Sequence, residues 1–524
     1  MRSSVLEFAA GLAGHVSLAY RIEEDGSDAY SFRLTDGVLE VRAGSERGVL
    51  YAVYDMLDGK REGKERPAFA IRGINPCESL SRHSPEQISR LIDRMGRWKM
   101  NTIIIHSKYG YAEHRETIET ECAKRSIELV HYTYYNLSFC DRIPQRHHAK
   151  RPDGAPRTEG HALGCADRLC ASDPEGLALY EEGVDRFLRD NPHFRTLLFA
   201  TSDGYEYCEC PDCREKDPIG QWAPFFNRFA DRAAADGRSV EALLYVNRFR
   251  LPDDRSRIMR SDRVMFDTHI RYRRESLEHA VYPYKNGTED QVDRRAADVP
   301  VNRYLFDRLS EWRSEYPGKL YVFENMMIQN LFALPWPNLP IYLDDLRSFR
   351  KEGVDGVVYE AYEPGIGPFV PMLDTLAKAM WNPVLPYEPT RFEQAFLRDH
   401  EGPQWPGNRY WDRYRDELPL RDIYPLVSDF RDKTSRGTVA ALLRHVLSRP
   451  DRSELDWLYI GYRCLHNLYS LHGGDEPLPA LDPLEQQFVR SRKLWDFMKG
   501  TEHPRETAGQ LIESIAGKLR REPV

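Results

Sequence analysis

Carboxylate side chains follow several short apolar runs of this sequence, and these are the groups best suited to acid–base chemistry. Glu324 follows the run 320–323, Glu360 follows the run 356–359, and Asp203 comes shortly after a third run. A short apolar run bounded by turn residues is typical of a strand buried on both faces. Two carboxylates across a scissile bond can act as acid and as nucleophile or base in glycoside hydrolysis. We therefore take these three acids as candidate catalytic residues.

Each acid also has a structural interpretation. Glu324 and Glu360 have no basic residue close by in the sequence, yet either one could be a structural acid that forms a salt bridge within the fold. Asp203 lies in Ser202-Asp203-Gly204, where an aspartate can simply hydrogen-bond the backbone of a turn. The sequence leaves both interpretations open for all three acids.

Three cysteines lie within six residues of the chain, at Cys208, Cys210 and Cys213. Thiolates on a tight loop suit zinc, and a site closed by cysteines is structural. Cys170 is the first candidate for a fourth ligand, ahead of Cys165 or a histidine. The alternative is a set of free or partly paired thiols. We expect no cofactor for catalysis and a structural zinc ion here.

Eight short apolar runs, most of them separated by helix-like segments, begin after Pro67. They span residues 70–74, 102–105, 127–132, 196–200, 240–246, 263–266, 320–323 and 356–359. Strands that alternate with helices predict parallel pairing, and eight of them predict a closed (β/α)8 barrel of the α/β class. A doubly wound open sheet is the alternative. We place the barrel domain at residues 68–386 and a helical C-terminal domain at residues 387–524.

The first 67 residues predict a small α/β domain. Alternating residues at 30–34 and 38–41 flank a turn and predict a hairpin with one buried face. Apolar residues at helical spacing predict a helix at 47–57. The charged segment 58–66, with two glycines, is interpreted as a linker.

If the barrel is correct, residues just past each strand share one pocket at the carboxyl ends. Carboxylates and amides can bond sugar hydroxyls, while aromatic rings stack on the apolar faces of a pyranose. The candidate substrate-binding residues are Tyr134, Asn136, Tyr245, Asn247, Asp267, His269, Trp336 and Tyr362.

Composition excludes several classes of protein. Hydrophobic residues make up 41% and charged residues 30% of the 524 residues, a balance typical of a globular fold. The net charge of −8, with both signs interspersed, argues against a nucleic-acid partner. No apolar run approaches the roughly 18 residues of a membrane span. Nine cysteines, an odd number, and the lack of a clear cleavage site favour the cytoplasm, and a homodimer is left open.

Several motifs together resemble the domain of unknown function 4838 family. They include Leu169-Cys170-x-x-Asp173-Pro174-Glu175, Ser202-Asp203-Gly204, the Cys-x-Cys-Pro-x-Cys cluster and Pro335-Trp336-Pro337-Asn338-Leu339. The resemblance implies a barrel similar to those of glycoside hydrolases, some family members being similar to family 163 endo-β-N-acetylglucosaminidases. The first module resembles the non-catalytic domain that precedes family 20 and family 67 barrels.

The resemblance also bears on individual acids. Glu360 matches the acid that follows strand eight in the family, whereas the family often has Asp at the position of Glu324. Family 20 enzymes carry an adjacent Asp-Glu pair on the fourth strand for substrate-assisted cleavage, but Asp203 is followed by Gly204 in this chain, so that pair is missing.

The sequence predicts a glycoside hydrolase that cleaves an oligosaccharide, with a β-linked N-acetylhexosaminide or a related hexoside as the expected substrate. The expected distance between catalytic carboxyl groups is about 5–5.5 Å for retention and about 6.5–9.5 Å for inversion. The alternatives are a non-catalytic carbohydrate-binding barrel and a zinc-dependent hydrolase built on the cysteine cluster.

Overall fold

The computed structural model describes residues 4–23, 25–76, 80, 83–106, 110–133, 140, 142–157, 169–200, 207–245, 249–252, 254, 260–268, 271, 276–280, 301–325, 339–360 and 370–384. Structural statements below refer to these residues. The predicted helical domain at 387–524 lies outside them. None of the described helices is long and apolar enough to cross a membrane.

A small four-stranded sheet occupies the start of the chain. Its elements are α1 (Ser4–Ala13), β1 (Ser17–Ile22), β2 (Tyr30–Thr35), β3 (Val38–Ala43), α2 (Glu46–Leu57) and β4 (Glu62–Glu65). The strand order is β1-β3-β2-β4, and β2 and β3 form the predicted antiparallel hairpin. Asp36 and Gly37 both have positive φ angles, as a tight hairpin turn requires.

One expectation for this module is wrong. The segment 58–66, interpreted as a linker, contains strand β4, which pairs antiparallel with β2. Its residues, Glu-Gly-Lys-Glu, show no apolar alternation, because β4 lies at the edge of the sheet and is half-exposed to fully exposed. This strand forms through backbone pairing with β2, and the pattern of its side chains does not predict it.

Eight parallel strands form a closed barrel, as the sequence predicts. They are β5 (Ile71–Asn75), β6 (Thr102–His106), β7 (Glu128–Tyr132), β8 (Thr196–Phe199), β9 (Ser239–Leu244), β10 (Arg263–Asp267), β11 (Lys319–Asn325) and β12 (Gly356–Glu360). The last strand, β12, pairs in parallel with the first, β5. This pairing closes the sheet and excludes the open doubly wound alternative.

Helices alternate with the barrel strands. They are α3 (Pro85–Arg97), α4 (Ala112–Arg125), α5 (Pro174–Asp190), α6 (Pro218–Ala235), α7 (Val301–Glu315), α8 (Leu339–Glu352) and α9 (Val370–Trp381). Side-chain caps fix where several of them begin. Ser84 and Gln87 form a capping box at the start of α3, with Pro85 in the first turn. Asp173 caps α5 by accepting from the backbone N–H groups of Glu175 and Gly176.

Residues along each barrel strand alternate between two apolar layers. One layer fills the barrel interior, and its members are Ile71, Ile104, Val130, Tyr132, Leu198, Ala200, Leu243, Met265, Tyr321, Phe323 and Val358. The intervening residues, such as Ile74, Phe199, Val322 and Tyr359, pack against the surrounding helices. Because successive side chains point to opposite faces of a strand, this assignment fixes the direction of every polar residue at a strand end.

Two charged groups of the barrel bind the N-terminal module. Arg72 donates to Asp28 at 2.5 Å, and Lys99 donates to Asp55 at 2.8 Å. The Arg72 guanidinium and the Lys99 ammonium both lie over the ring of Trp381. Arg72 is near the start of β5 and Lys99 precedes β6, so the module docks at the amino-terminal ends of these strands. The carboxyl-terminal ends, where barrel pockets form, are on the other side.

Barrel closure depends on a glycine on β12. A Cβ atom at Gly356 would lie 2.2 Å from the backbone oxygen of Ile71, its partner on β5. We expect Gly356→Ala to destabilise the protein by roughly 1–3 kcal/mol, because the two strands must separate. The measurement is the midpoint of urea unfolding, followed by tryptophan fluorescence.

Gly11→Ala is the matched control. Nothing lies within 4 Å of a Cβ at Gly11, which is exposed on α1. This change should stabilise by roughly 0.5–1 kcal/mol through helix propensity. An unchanged midpoint for Gly356→Ala would contradict the close approach of β12 and β5.

Candidate active site

Five consecutive strands of the barrel end in a polar or aromatic side chain that faces the interior. The residues are Asn325 on β11, Glu360 on β12, Asn75 on β5, His106 on β6 and Tyr132 on β7. We call these five residues the strand-end band. Each is the last residue of its strand, and Tyr132 belongs to the interior apolar layer while the others alternate in step with it. The band therefore lines the carboxyl-terminal end of the barrel.

Contacts within the strand-end band fix its side chains. The amide nitrogen of Asn325 donates to Oε2 of Glu360 at 2.8 Å. The amide nitrogen of Asn75 lies 3.4 Å from Nε2 of His106. The His106 ring stacks on Tyr132, with ring centroids 4.2 Å apart and planes 11° from parallel. All five residues are buried, so the band presents a carboxylate, two amides and a stacked ring pair that are largely shielded from solvent.

Two predicted substrate-binding residues lie on the same interior side. Asp267 is the last residue of β10, alternates in step with the interior residue Met265, and is 1% exposed. Tyr245 directly follows β9 and packs, half-buried, against the interior layer. The structure therefore brings Glu360, Asp267 and Tyr245 to one side of the barrel wall.

Glu324 lies on the other side of the wall. It pairs in register with Tyr359, one residue before the Asn325–Glu360 pair, and alternates in step with the helix-facing residue Val322. The favoured pair of acids, Glu324 and Glu360, therefore does not face one pocket. Glu324 and Glu360 are offset by one residue in the register of neighbouring strands, so their side chains point to opposite sides of the sheet.

The contacts of Glu324 match its structural interpretation. Its Oε2 accepts from Nη1 of Arg271 at 2.8 Å and from the hydroxyl of Thr268 at 2.6 Å. Arg271 also donates to Asp345 on α8 at 2.5 Å. Glu324, Arg271 and Asp345 are each no more than 2% exposed. This buried triad joins β11 to α8 behind the barrel wall.

Burial and charge act against each other in the triad. Burial raises the pKa of Asp345 to about 6, although the Arg271 guanidinium acts to lower it. Burial disfavours the charged form of Arg271, but the neighbouring carboxylates of Asp345 and Glu324 hold its pKa above the ordinary value. Burial, with the Glu324 carboxylate, also raises the pKa of Tyr359 well above its ordinary value. Arg271 and Asp345 are therefore charged at neutral pH, at a cost in desolvation.

A second network, with Glu241 and Tyr321 buried and Arg263 and Glu128 half-buried, lies toward the amino-terminal end of the barrel. Arg263 on β10 donates to Glu241 at 2.9 Å and to Glu128 at 2.7 Å, and the Tyr321 hydroxyl bonds Glu241. Burial raises the pKa of Glu241, with Arg263 opposing the shift. Tyr321 belongs to the interior apolar layer, and Glu128 and Arg263 are the first residues of β7 and β10, so this network lies toward the amino-terminal end of the barrel.

The four predicted metal ligands converge. The Sγ atoms of Cys170, Cys208, Cys210 and Cys213 all lie within 4.8 Å of one another. Cys170 precedes α5, and the other three lie between β8 and α6. The choice of Cys170 as the nearest fourth cysteine agrees with this geometry. Among the remaining cysteines, Cys122 is a free buried thiol and Cys140 is disulfide-bonded, an exception to the expectation of free or metal-bound thiols.

Seven predicted site residues lie outside the described part of the chain. They are Asp203, Tyr134, Asn136, Asn247, His269, Trp336 and Tyr362. Their roles stay predictions. Sequence reasoning missed Arg271, which is 53 residues from Glu324 along the chain and carries no local signal of the pairing.

Several solved structures with similar folds are glycoside hydrolases. A family 138 glycoside hydrolase targeting pectin rhamnogalacturonan II superposes with a TM-score of 0.50 at 11% identity, covering 98% of this chain and 76% of that one. A β-N-acetylhexosaminidase from Bacteroides fragilis gives 0.45 at 14% identity, covering 73% of this chain and 82% of that one. Another β-N-acetylhexosaminidase gives 0.46 at 15% identity, covering 75% and 93%.

These similarities concern the fold. No family model matches the chain, so the resemblance to domain of unknown function 4838 is not confirmed. No curated protein gives a significant match either. The comparison agrees with the barrel described above, and the chemistry of the site must be argued from its own residues.

The raised pKa of Asp345 predicts a specific pH dependence. The folded protein holds this proton up to about pH 6, whereas an unfolded aspartate loses it near pH 4. Ionisation of Asp345 therefore lowers the free energy of unfolding of the wild type by about 3 kcal/mol in total as the pH rises between these values. Asp345→Asn lacks this loss, so its stability relative to wild type should rise from pH 4 to pH 6 and then level off.

The measurement is the difference in urea midpoint between variant and wild type across this pH range. Asp190→Asn serves as control, because it makes the same chemical change at an exposed acid at the end of α5, outside the triad. A difference for Asp345→Asn that does not change with pH, or falls as the pH rises, would contradict the desolvated triad.

Proposed function

We propose that this chain is a glycoside hydrolase that acts on an oligosaccharide. The observation that carries the proposal is Glu360, a carboxylate at the carboxyl-terminal end of β12 that faces the barrel interior and is held by Asn325. Around it lie amide, carboxylate and aromatic side chains, the groups that bind sugars. The barrel of similar glycoside hydrolases supports the proposal through the fold only.

Glu360 acts as the nucleophile or base. An amide hydrogen bond to a carboxylate oxygen stabilises the ionised form, and Asn325 supplies such a bond at 2.8 Å. In the retaining form, the carboxylate attacks the anomeric carbon as the glycosidic bond breaks, and a second acid protonates the departing oxygen. Water then attacks the anomeric carbon and releases the sugar from Glu360, while the second acid accepts a proton from this water.

Asp203 is the proposed second acid. It follows β8 by four residues in the sequence, and β8 is four strands from β12 in either direction around the eight-stranded barrel. A sugar ring held at the centre of the barrel mouth would lie between residues that come from opposite strands. Asp267, two strands from β12, is proposed to bind sugar hydroxyls.

The substrate class rests on the motifs of the sequence and on the residue types of the strand-end band. We propose a β-linked N-acetylhexosaminide or a related hexoside. The stacked ring pair of His106 and Tyr132 offers a flat surface, and the amides of Asn75 and Asn325 suit hydroxyl or acetamido groups. Cytoplasmic location and homodimer formation stay predictions.

A hydrolysis screen over aryl glycosides and N-glycan-derived oligosaccharides tests the proposal. We expect Glu360→Gln to lower kcat by roughly 10²–10⁴-fold, because the variant keeps the shape of the side chain but loses its charge. Asp203→Asn should cause a loss of the same order. Circular dichroism and the urea midpoint should show both variants folded.

Glu324→Gln is the matched control, since it makes the same chemical change one residue earlier in the register on the neighbouring strand. It should lower stability by leaving Arg271 poorly paired, while the folded fraction keeps its kcat. Full activity in Glu360→Gln would contradict the assignment. Sugar binding without cleavage of any substrate would instead support a carbohydrate-binding barrel.

A further inference from the structure

We propose that Cys170, Cys208, Cys210 and Cys213 bind one zinc ion, and that this ion fastens together the segments that follow β7 and β8. The proposal concerns a structural site that shares no residue with the strand-end band. It does not depend on the proposed hydrolase activity.

The spacing of the four sulfur atoms fits tetrahedral coordination. Zinc–thiolate bonds of about 2.3 Å in a tetrahedron place the sulfur atoms about 3.8 Å apart. The Sγ of Cys170 lies 3.7 Å from that of Cys210 and 3.8 Å from that of Cys213. A disulfide would instead hold its two sulfur atoms at about 2.05 Å. All four cysteines are free thiols with their sulfur atoms within 4.8 Å of one another, and these two distances match the edges of a tetrathiolate tetrahedron.

Hydrogen bonds to the sulfur atoms support the same conclusion. The backbone N–H of Lys150 donates to Sγ of Cys208 at 3.3 Å. The Ser172 hydroxyl lies 3.1 Å from Sγ of Cys213. The Lys216 ammonium donates to the same hydroxyl oxygen at 2.6 Å, which leaves the hydroxyl proton for the sulfur. Donors of this kind orient thiolate ligands and offset part of their negative charge.

The Gln221 side chain joins the two ends of the ligand loop. Its oxygen accepts from the backbone N–H of Cys208 at 3.0 Å, and its nitrogen donates to the backbone oxygen of Cys213 at 2.8 Å. Gln221 is buried on α6. The loop that carries three of the four thiols is therefore fixed to a barrel helix in the conformation that brings the sulfur atoms together.

The ligand set assigns a structural role to the ion. Four cysteines fill a tetrahedral coordination sphere and leave no position for a water molecule, whereas catalytic zinc keeps such a position. The zinc-dependent hydrolase considered from the sequence is therefore not supported. Cys170 lies three residues before Asp173, the cap of α5, and Cys213 lies four residues before Asp217, the cap of α6. The ion would thus connect the beginnings of two neighbouring barrel helices.

Metal analysis of the purified full-length chain tests the site. We expect one zinc ion per chain by mass spectrometry of the elements, after purification in reducing buffer without added metal. Cys170→Ser and Cys213→Ser should each lose most of this zinc. Ser172→Ala should weaken zinc binding by roughly tenfold, measured by competition with a chromophoric chelator.

Cys122→Ser is the matched control, because Cys122 is a buried free thiol on α4 outside the cluster; it should keep its zinc. Removal of zinc by a chelator should lower the unfolding midpoint of the wild type, and added zinc should restore it. The same treatment should leave the midpoint of Cys170→Ser unchanged.

Three results would overturn the proposal. The first is a wild-type chain that holds no zinc and binds none when the ion is added under reducing conditions. The second is iron in place of zinc. The third is a disulfide between any two of the four cysteines, detected by peptide mapping without reduction in freshly purified protein.

Discussion

Closure of the eight-stranded barrel is the constraint on which the site depends. Because β12 pairs with both β11 and β5, its register is fixed on two sides, and each of its residues is committed to the interior or to the helices. A slip of one residue would exchange Glu360 with Tyr359 and remove the carboxylate from the barrel mouth. The close contact of Gly356 with the β5 backbone shows how tightly this register is packed. The same alternation separates Glu324 from Glu360, although the two acids follow similar strands.

Ion pairs and clusters outside the strand-end band connect the strands, helices and first module to one another. Arg263 bonds Glu241 and Glu128 at the amino-terminal end of the barrel, while Arg72 bonds Asp28 of the first module. The triad around Arg271 secures β11 to α8, and the cysteine cluster connects the segments before α5 and α6. The triad lies behind the interior layer and the Arg263 network lies toward its amino-terminal end, whereas the cysteine cluster joins segments that follow the carboxyl-terminal ends of β7 and β8. Removal of one partner from the Arg271 triad or from the Arg72–Asp28 pair leaves a buried charge, which costs more than a lost surface contact.

Much of this architecture can be predicted from the sequence, because each barrel strand coincides with a short apolar run and several helices have periodic apolar residues. The eight strands, the hairpin, and the convergence of Cys170 with the three clustered cysteines follow from such local patterns. The side of the barrel wall on which Glu324 lies cannot be predicted in this way, because a strand buried on both sides shows no alternation that distinguishes interior from exterior. Its partner Arg271 is distant in sequence, and β4 has no apolar pattern. Both depend on long-range pairing that no local spacing records.

Chemical rescue is the most direct test of Glu360 as the reacting carboxylate. Removing the carboxylate in Glu360→Ala leaves space in which azide can attack the anomeric carbon of an activated aryl glycoside, giving a glycosyl azide and the phenolate. We expect azide to restore turnover of Glu360→Ala in a concentration-dependent way and to have no such effect on Glu324→Ala. Rescue of Glu324→Ala, with none for Glu360→Ala, would contradict the assignment of the two acids to opposite sides of the barrel wall.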